Sequence, residues 1–146
     1  MLNFLYTFVL VMGAVYLATV IHESGHFVAA RKLGMPISSV EIGRGSVVFS
    51  FLWKGMRFRQ RIVPINGAVK LVYLSGTGWK NLVLTAAGPL ANLLTAGIAY
   101  VLHGRSLFVD ASLLTGLLNL LPLNVGGTPT DGLHIIRIVR KMRSAA

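Results

Sequence analysis

Val20-Ile-His-Glu-Ser-Gly-His26 closes an uncharged run of twenty residues, Leu2 to Ile21. In helical form such a run is long enough for one membrane crossing. Two histidines four residues apart share a helix face, so His22 and His26 can bind one metal ion. Glu23 lies beside them, where a general base is needed, because zinc lowers the pKa of a coordinated water to about 7. Ionisable groups inside a spanning segment are costly and demand partners. A Glu flanked by two His, just before Arg31 and Lys32, is poorly explained by packing. No Lys or Arg precedes the run, so it does not read as a secretory signal.

The rest of the chain has the same character. Of its 146 residues 54% are hydrophobic and 12% charged, with a mean hydropathy of +0.70. A soluble domain this small cannot hide so much apolar side chain, which makes lipid the expected solvent. Disorder is excluded by the scarcity of polar residues. The absence of cysteine excludes disulfides, thiolate zinc sites and thiol nucleophiles. Further apolar runs extend from Leu82 to Leu102 and from Ser106 to Leu123. The expected fold class is therefore membrane α-helical. Three transmembrane helices fall at about 2–30, 80–102 and 106–123.

Fourteen Lys and Arg against four acids give a net charge of +10. Nine basic residues lie between Arg31 and Lys80, one (Arg105) between the second and third runs, and four (Arg137, Arg140, Lys141 and Arg143) after the third. Positive loops stay cytoplasmic. That predicts an outside N-terminus, an inside long loop, a short outside turn and an inside C-terminal segment. With the bases sorted by membrane side and no recognition motif, a nucleic-acid partner is not expected. The charge instead suits lipid headgroups.

The loop at about 39–75 reads as a small membrane-adjacent β-sheet. Ser46 to Trp53 is β-branched and aromatic, Lys54-Gly55 is a turn, and Met56 to Val63 alternates apolar with basic residues. Pro64-Ile-Asn-Gly67 reads as a turn or bend before a third, less regular strand, Ala68 to Leu74. Residues 132–143 predict an amphipathic helix lying on headgroups. The whole chain, 1–146, is expected to form one unit.

A catalytic zinc takes three protein ligands plus water. Asp110 and His103 fall at the outer turn and Glu41 in the loop. Asp131 follows the third run, on the same side as His22 and His26, and is favoured on topology. A helix N-cap is its alternative role, and His134 is a rival ligand or a supporting partner. Asn92, an amide within the second run, needs partners there. It can stabilise an oxyanion or make an interhelical hydrogen bond.

These motifs, in this order, resemble the site-2 protease-type intramembrane zinc metalloproteases. His22-Glu-Ser-Gly-His26 is similar to the family's zinc motif, and Lys32-Leu-Gly34 with Val40-Glu-Ile-Gly43 to the loop after it. Pro64-Ile-Asn-Gly-Ala-Val-Lys70 resembles its Pro-x-Gly-Gly-Tyr-Val-Lys stretch, with Asn66 in place of the first Gly. Ala87-Gly-Pro-Leu-Ala-Asn92 resembles Gly-Pro-x-x-Asn. Asn119-Leu-Leu-Pro122 with Asp131-Gly132 resembles the pair of motifs carrying the third ligand. The spacing from Pro122 to Asp131 is longer than the family's, filled by the polar Asn124 to Thr130.

The resemblance implies one zinc per chain on His22, His26 and Asp131, with Glu23 as base and Asn92 positioning substrate or oxyanion. It also implies that the Pro64 to Leu74 segment borders the active site and offers an edge strand to an extended substrate, with Asn66 and Gly67 as substrate-binding residues. The implied activity is cleavage of other proteins' transmembrane segments by a minimal core without a PDZ module, its active site near the cytoplasmic face. The alternative is an inactive protein of the same fold that binds partner helices.

Overall fold

The structure, a computed structural model, describes residues 2–72, 78–125 and 127–144. The end of the expected third strand (residues 73 and 74) and position 126 of the polar insert lie outside the described residues. Helix α1 (Leu2–Lys32) leads into two paired strands, β1 (Ile37–Trp53) and β2 (Met56–Leu71). Helices α2 (Gly78–His103) and α3 (Leu107–Leu120) follow. A two-residue pair, β3 (Asn124–Val125) and β4 (Thr128–Pro129), then leads into α4 (Asp131–Ser144).

Two of these helices, α1 and α2, are long and apolar enough to cross a membrane. Their flanks leave large apolar side chains uncovered, Leu2 at 84% and Val101 at 82%. Uncovered apolar side chains of this kind suit a lipid surrounding. The third expected span is shorter than the apolar run suggests. Ser106 caps α3 by accepting a hydrogen bond from the Val109 amide, and the helix stops at Leu120. Leu121 is already extended (φ −68°, ψ 138°) because it precedes Pro122, whose ring disfavours the helical region for its neighbours on that side. Fourteen residues rise only about 21 Å, less than the ~30 Å of a hydrocarbon core.

α1, α2 and α3 pack on one another, and α4 lies against α2. The α1–α2 contact is close: a Cβ on Gly25 would run into the carbonyl oxygen of Ala87 and lie 2.8 Å from Ala91 Cβ. Small residues allow this approach where no hydrophobic effect drives helices together. The basic ends gather on one side. Arg31 and Lys32 end α1, Lys80 begins α2, and a Cβ on Gly78 would meet Met142 of the basic α4.

The strands are longer than their sequence pattern suggests. β1 begins at Ile37, ahead of the β-branched run, and β2 continues through Pro64 to Gly67 where a turn was expected. The reason is a nonlocal partner. Residues 39–42 pair with 67–70 on one side and with 57–60 on the other, while 49–53 pair with 56–60. The register shifts repeatedly, and the positive φ of Asn66 (64°) takes up one irregularity. Lys54 and Gly55 form the expected tight turn, both with positive φ (49° and 79°), the geometry that matches strand twist in a two-residue hairpin.

Glu41 binds these segments together. Its buried carboxylate accepts from Arg59 Nη1 (2.9 Å), Arg61 Nη2 (2.7 Å) and Lys70 Nζ (2.8 Å). Burial pushes the carboxyl up, but hydrogen bonds from Lys70, Arg61 and Arg59 outweigh it and hold it down to about 2. The sheet leans on α1. Tyr16 donates to Gln60, and Phe27 packs against Phe58 beside the small core of Ala30, Met35, Ile37, Val40 and Met56.

Candidate metal centre

His22 and His26 project from one face of α1 and meet Asp131, the first residue of α4. His22 Nε2 lies 3.0 Å from Asp131 Oδ2, His26 Nε2 lies 3.5 Å from the same oxygen, and the two Nε2 atoms are 3.2 Å apart. Around an ion held tetrahedrally at about 2.0–2.1 Å, neighbouring donors stand about 3.3 Å apart. The triangle has that size. Two imidazole nitrogens and a carboxylate oxygen also form a donor set suited to zinc. Among the described residues this is the one group of three such side chains close enough to hold a metal.

Its surroundings orient the donors. His26 Nδ1 lies 2.8 Å from the Leu84 carbonyl oxygen of α2. That carbonyl can only accept, so Nδ1 carries the proton and Nε2 presents its lone pair to the triangle. Gly88 lies flat against the same ring, and a Cβ there would overlap the imidazole. Asp131 is placed by the segment before it. Thr130 Oγ1 hydrogen-bonds to the Leu121 and Leu123 carbonyls, and the His134 amide donates to the Thr130 carbonyl. The Asp131 carboxylate therefore turns toward α1 instead of capping its own helix.

Glu23 is buried next to the triangle, and its Oε2 has no hydrogen-bond partner among the described residues. Gly67 covers it: a Cβ there would fall 2.5 Å from Glu23 Cγ and 2.7 Å from Oε1. Among the described residues the strand from Gly67 to Leu71 pairs on one side only, with 37–42, and Asn66 stands at its start. Exposed Asn66, with its amide oxygen turned to Arg44, accepts from Nη2 (3.0 Å) and Nε (3.2 Å). Arg44 also reaches Thr128 at 3.4 Å, linking this strand to the loop before Asp131. Asn92 is fully buried in α2, with neither amide atom partnered among the described residues.

The other polar candidates stand elsewhere. His134 is exposed on α4, His103 is exposed at the far end of α2, Asp110 pairs with Arg105 (3.1 Å), and Glu41 is held in the sheet. The Leu84 carbonyl, the contact of Gly88 with His26 and the Glu41 cluster were not apparent from sequence. Only the last left a trace there, in the alternating Arg57, Arg59 and Arg61, which put a row of cations on one strand face opposite a lone acid.

Comparison with known proteins identifies the family. Residues 8–108 match the model of peptidase family M50. The chain belongs to that family, the site-2 protease family of zinc metalloproteases. It is 31% identical over 137 residues to a Chlamydia pneumoniae protein provisionally named a zinc metalloprotease, covering 75% of this chain and 22% of that protein. It is 30% identical over 115 residues to the regulator of sigma E protease of Haemophilus influenzae, covering 68% of this chain and 26% of that protein. A Campylobacter jejuni protein, also provisionally named a zinc metalloprotease, is 31% identical over 100 residues, 58% of this chain and 27% of its own length. The chain thus spans about a fifth to a quarter of the curated relatives it matches.

Proposed function

We propose that this chain carries the catalytic core of an intramembrane zinc endopeptidase, which hydrolyses peptide bonds in or near transmembrane segments of other membrane proteins. The observation that carries the reading is the convergence of His22, His26 and Asp131 within 4.8 Å beside a buried, unpaired Glu23. His22, His26 and Asp131 would hold the ion, which supplies Lewis acidity to a substrate carbonyl and to water. Glu23 takes the proton of the attacking water on its free Oε2 and delivers it to the leaving amine. Asn92, with both amide atoms unpartnered, orients the substrate carbonyl and steadies the oxyanion. A substrate unwound into extended form adds to the one-sided strand at Asn66 and Gly67.

The basic residues clustered at this end of the helices favour the cytoplasmic side, with the N-terminus outside. Membrane-protein substrates fit a site reached from two lipid-facing helices. The name of the Haemophilus relative joins proteolysis to regulation, the setting proposed for this chain as well. The implied partners are a transmembrane substrate and the bilayer, with no nucleic acid.

The test offers single-span model substrates to the purified chain and to Glu23→Gln in detergent. The expected result is one zinc per chain in both forms and cleavage slowed at least about a hundredfold in the variant. A wild-type chain without stoichiometric zinc, or a variant that cleaves as fast as wild type, overturns the reading.

A further inference from the structure

The face of α1 turned to the sheet holds a cavity of about 460 Å³ between the helix and the strands. Val20 of α1, Ile42 of β1, the aromatic trio Phe51, Trp53 and Phe58, and Glu23 line it. The aromatic wall is built as a unit. Phe51 and Phe58 stack at 5.0 Å with an interplanar angle of 8°, and Trp53 leans on Phe58 at 6.0 Å. Glu23 is the one ionisable group in this wall, 4% exposed and with Oε2 unpartnered. A cavity of about 150 Å³ already accommodates a benzene ring, so this one has room for a large side chain together with part of its backbone.

We infer that this cavity is a specificity pocket for a large apolar side chain, aliphatic or aromatic, on a residue flanking the scissile bond. The inference rests on the proteolytic reading above and adds to it which residue types the site selects. The reasoning is one of reach. A carbonyl attacked by a water that Glu23 deprotonates must lie within about one hydrogen-bonded water of that carboxylate. The side chains flanking that carbonyl start one or two bonds away, so one of them projects where Glu23 forms part of the wall. The remaining lining rewards apolar surface, and a cation entering it would pair with Glu23 and take the base out of play. Phe51 and Trp53 are each about half exposed, which leaves the aromatic wall open to an incoming chain.

The experiment uses the full, zinc-loaded chain and a single-span substrate with one mapped cleavage bond. Each flanking residue is set in turn to Gly, Ala, Leu, Phe, Trp or Lys. At one flanking position, wild type is expected to favour Leu and Phe over Ala and Gly by at least about tenfold in kcat/KM, with Lys lowest. Ile42→Phe, which narrows the pocket, brings Ala level with or above Phe. Phe51→Ala, which widens it, moves the preference toward Trp. A second readout needs no cleavage: a photoreactive benzophenone side chain at that position crosslinks to the Phe51–Phe58 segment in Glu23→Gln. One ranking shared by all three forms, or a crosslink elsewhere, overturns the pocket and leaves the protease reading standing. That result would also be expected if a lipid acyl chain were the occupant. Failure of wild type to cut any substrate overturns both.

Discussion

Gly67 and Glu23 are in contact across the site, the strand backbone pressed against the carboxylate stem, with no room for a single added carbon. Gly67→Ala is expected to displace the Glu23 side chain while leaving the metal ligands on α1 and α4 in place. Turnover should fall about 10- to 100-fold, since misplacing a reacting group by an ångström costs that much. Zinc content should not change. Unaltered turnover would show that Glu23 does not depend on this contact.

Gly88 has the corresponding role for a ligand. A Cβ there would overlap the His26 ring, which is fixed on its other nitrogen by the Leu84 carbonyl. Gly88→Ala should weaken zinc binding about 10- to 100-fold, the usual effect of disturbing a group that orients a ligand. Circular dichroism should report unchanged helix content. Competition with a chelator of known affinity measures the first quantity and would expose a variant that binds zinc as well as wild type.

The third ligand can be checked by elimination. Asp131→Ala should lose stoichiometric zinc, whereas His134→Ala and Asp110→Ala, placed on an exposed helix face and in a surface ion pair, should keep it. Retention of zinc by the Asp131 variant, or its loss in either control, contradicts the geometry of the triangle.

Glu41 predicts a pH dependence. Its carboxyl sits at about 2 in the fold against an ordinary 4.5. The folded chain therefore binds this proton more weakly than the unfolded chain. The stability it contributes is complete above pH 4.5, declines as the pH falls, and is lost below about 2. Thermal unfolding in detergent should show a midpoint falling through that window in wild type. Glu41→Gln should start lower at pH 7 and be flatter through it. Equal slopes in the two proteins would remove Glu41 as the cause.

What could be read from sequence follows the range of the interaction. The tight turn at Lys54-Gly55 and the paired His22 and His26 depend on residues a few positions apart, so local pattern sufficed. Asp131 emerged because acids are rare and topology put few of them on the correct side. Pro64 to Gly67 stays within β2, because Val63 and Gly67 on its two sides pair with Arg44 and Ile42 about twenty positions away, but the bend expected there survives as a register shift with a positive φ at Asn66 (64°). The third apolar run overstated its helix because hydropathy does not register the backbone restriction before Pro122. The Leu84 carbonyl and Gly88 depend on the register of α2 against α1, which no single segment encodes.

The ligands come from opposite parts of the chain, His22 and His26 near its start and Asp131 more than a hundred residues later. During synthesis, at about 5–20 residues per second, α1 enters the membrane seconds before Asp131 exists. Through that interval the growing chain carries both imidazoles and the base but not the carboxylate that completes the triangle. On the function proposed above, the hydrolytic centre would be assembled late, only after the three helices that precede Asp131 in the chain have been made.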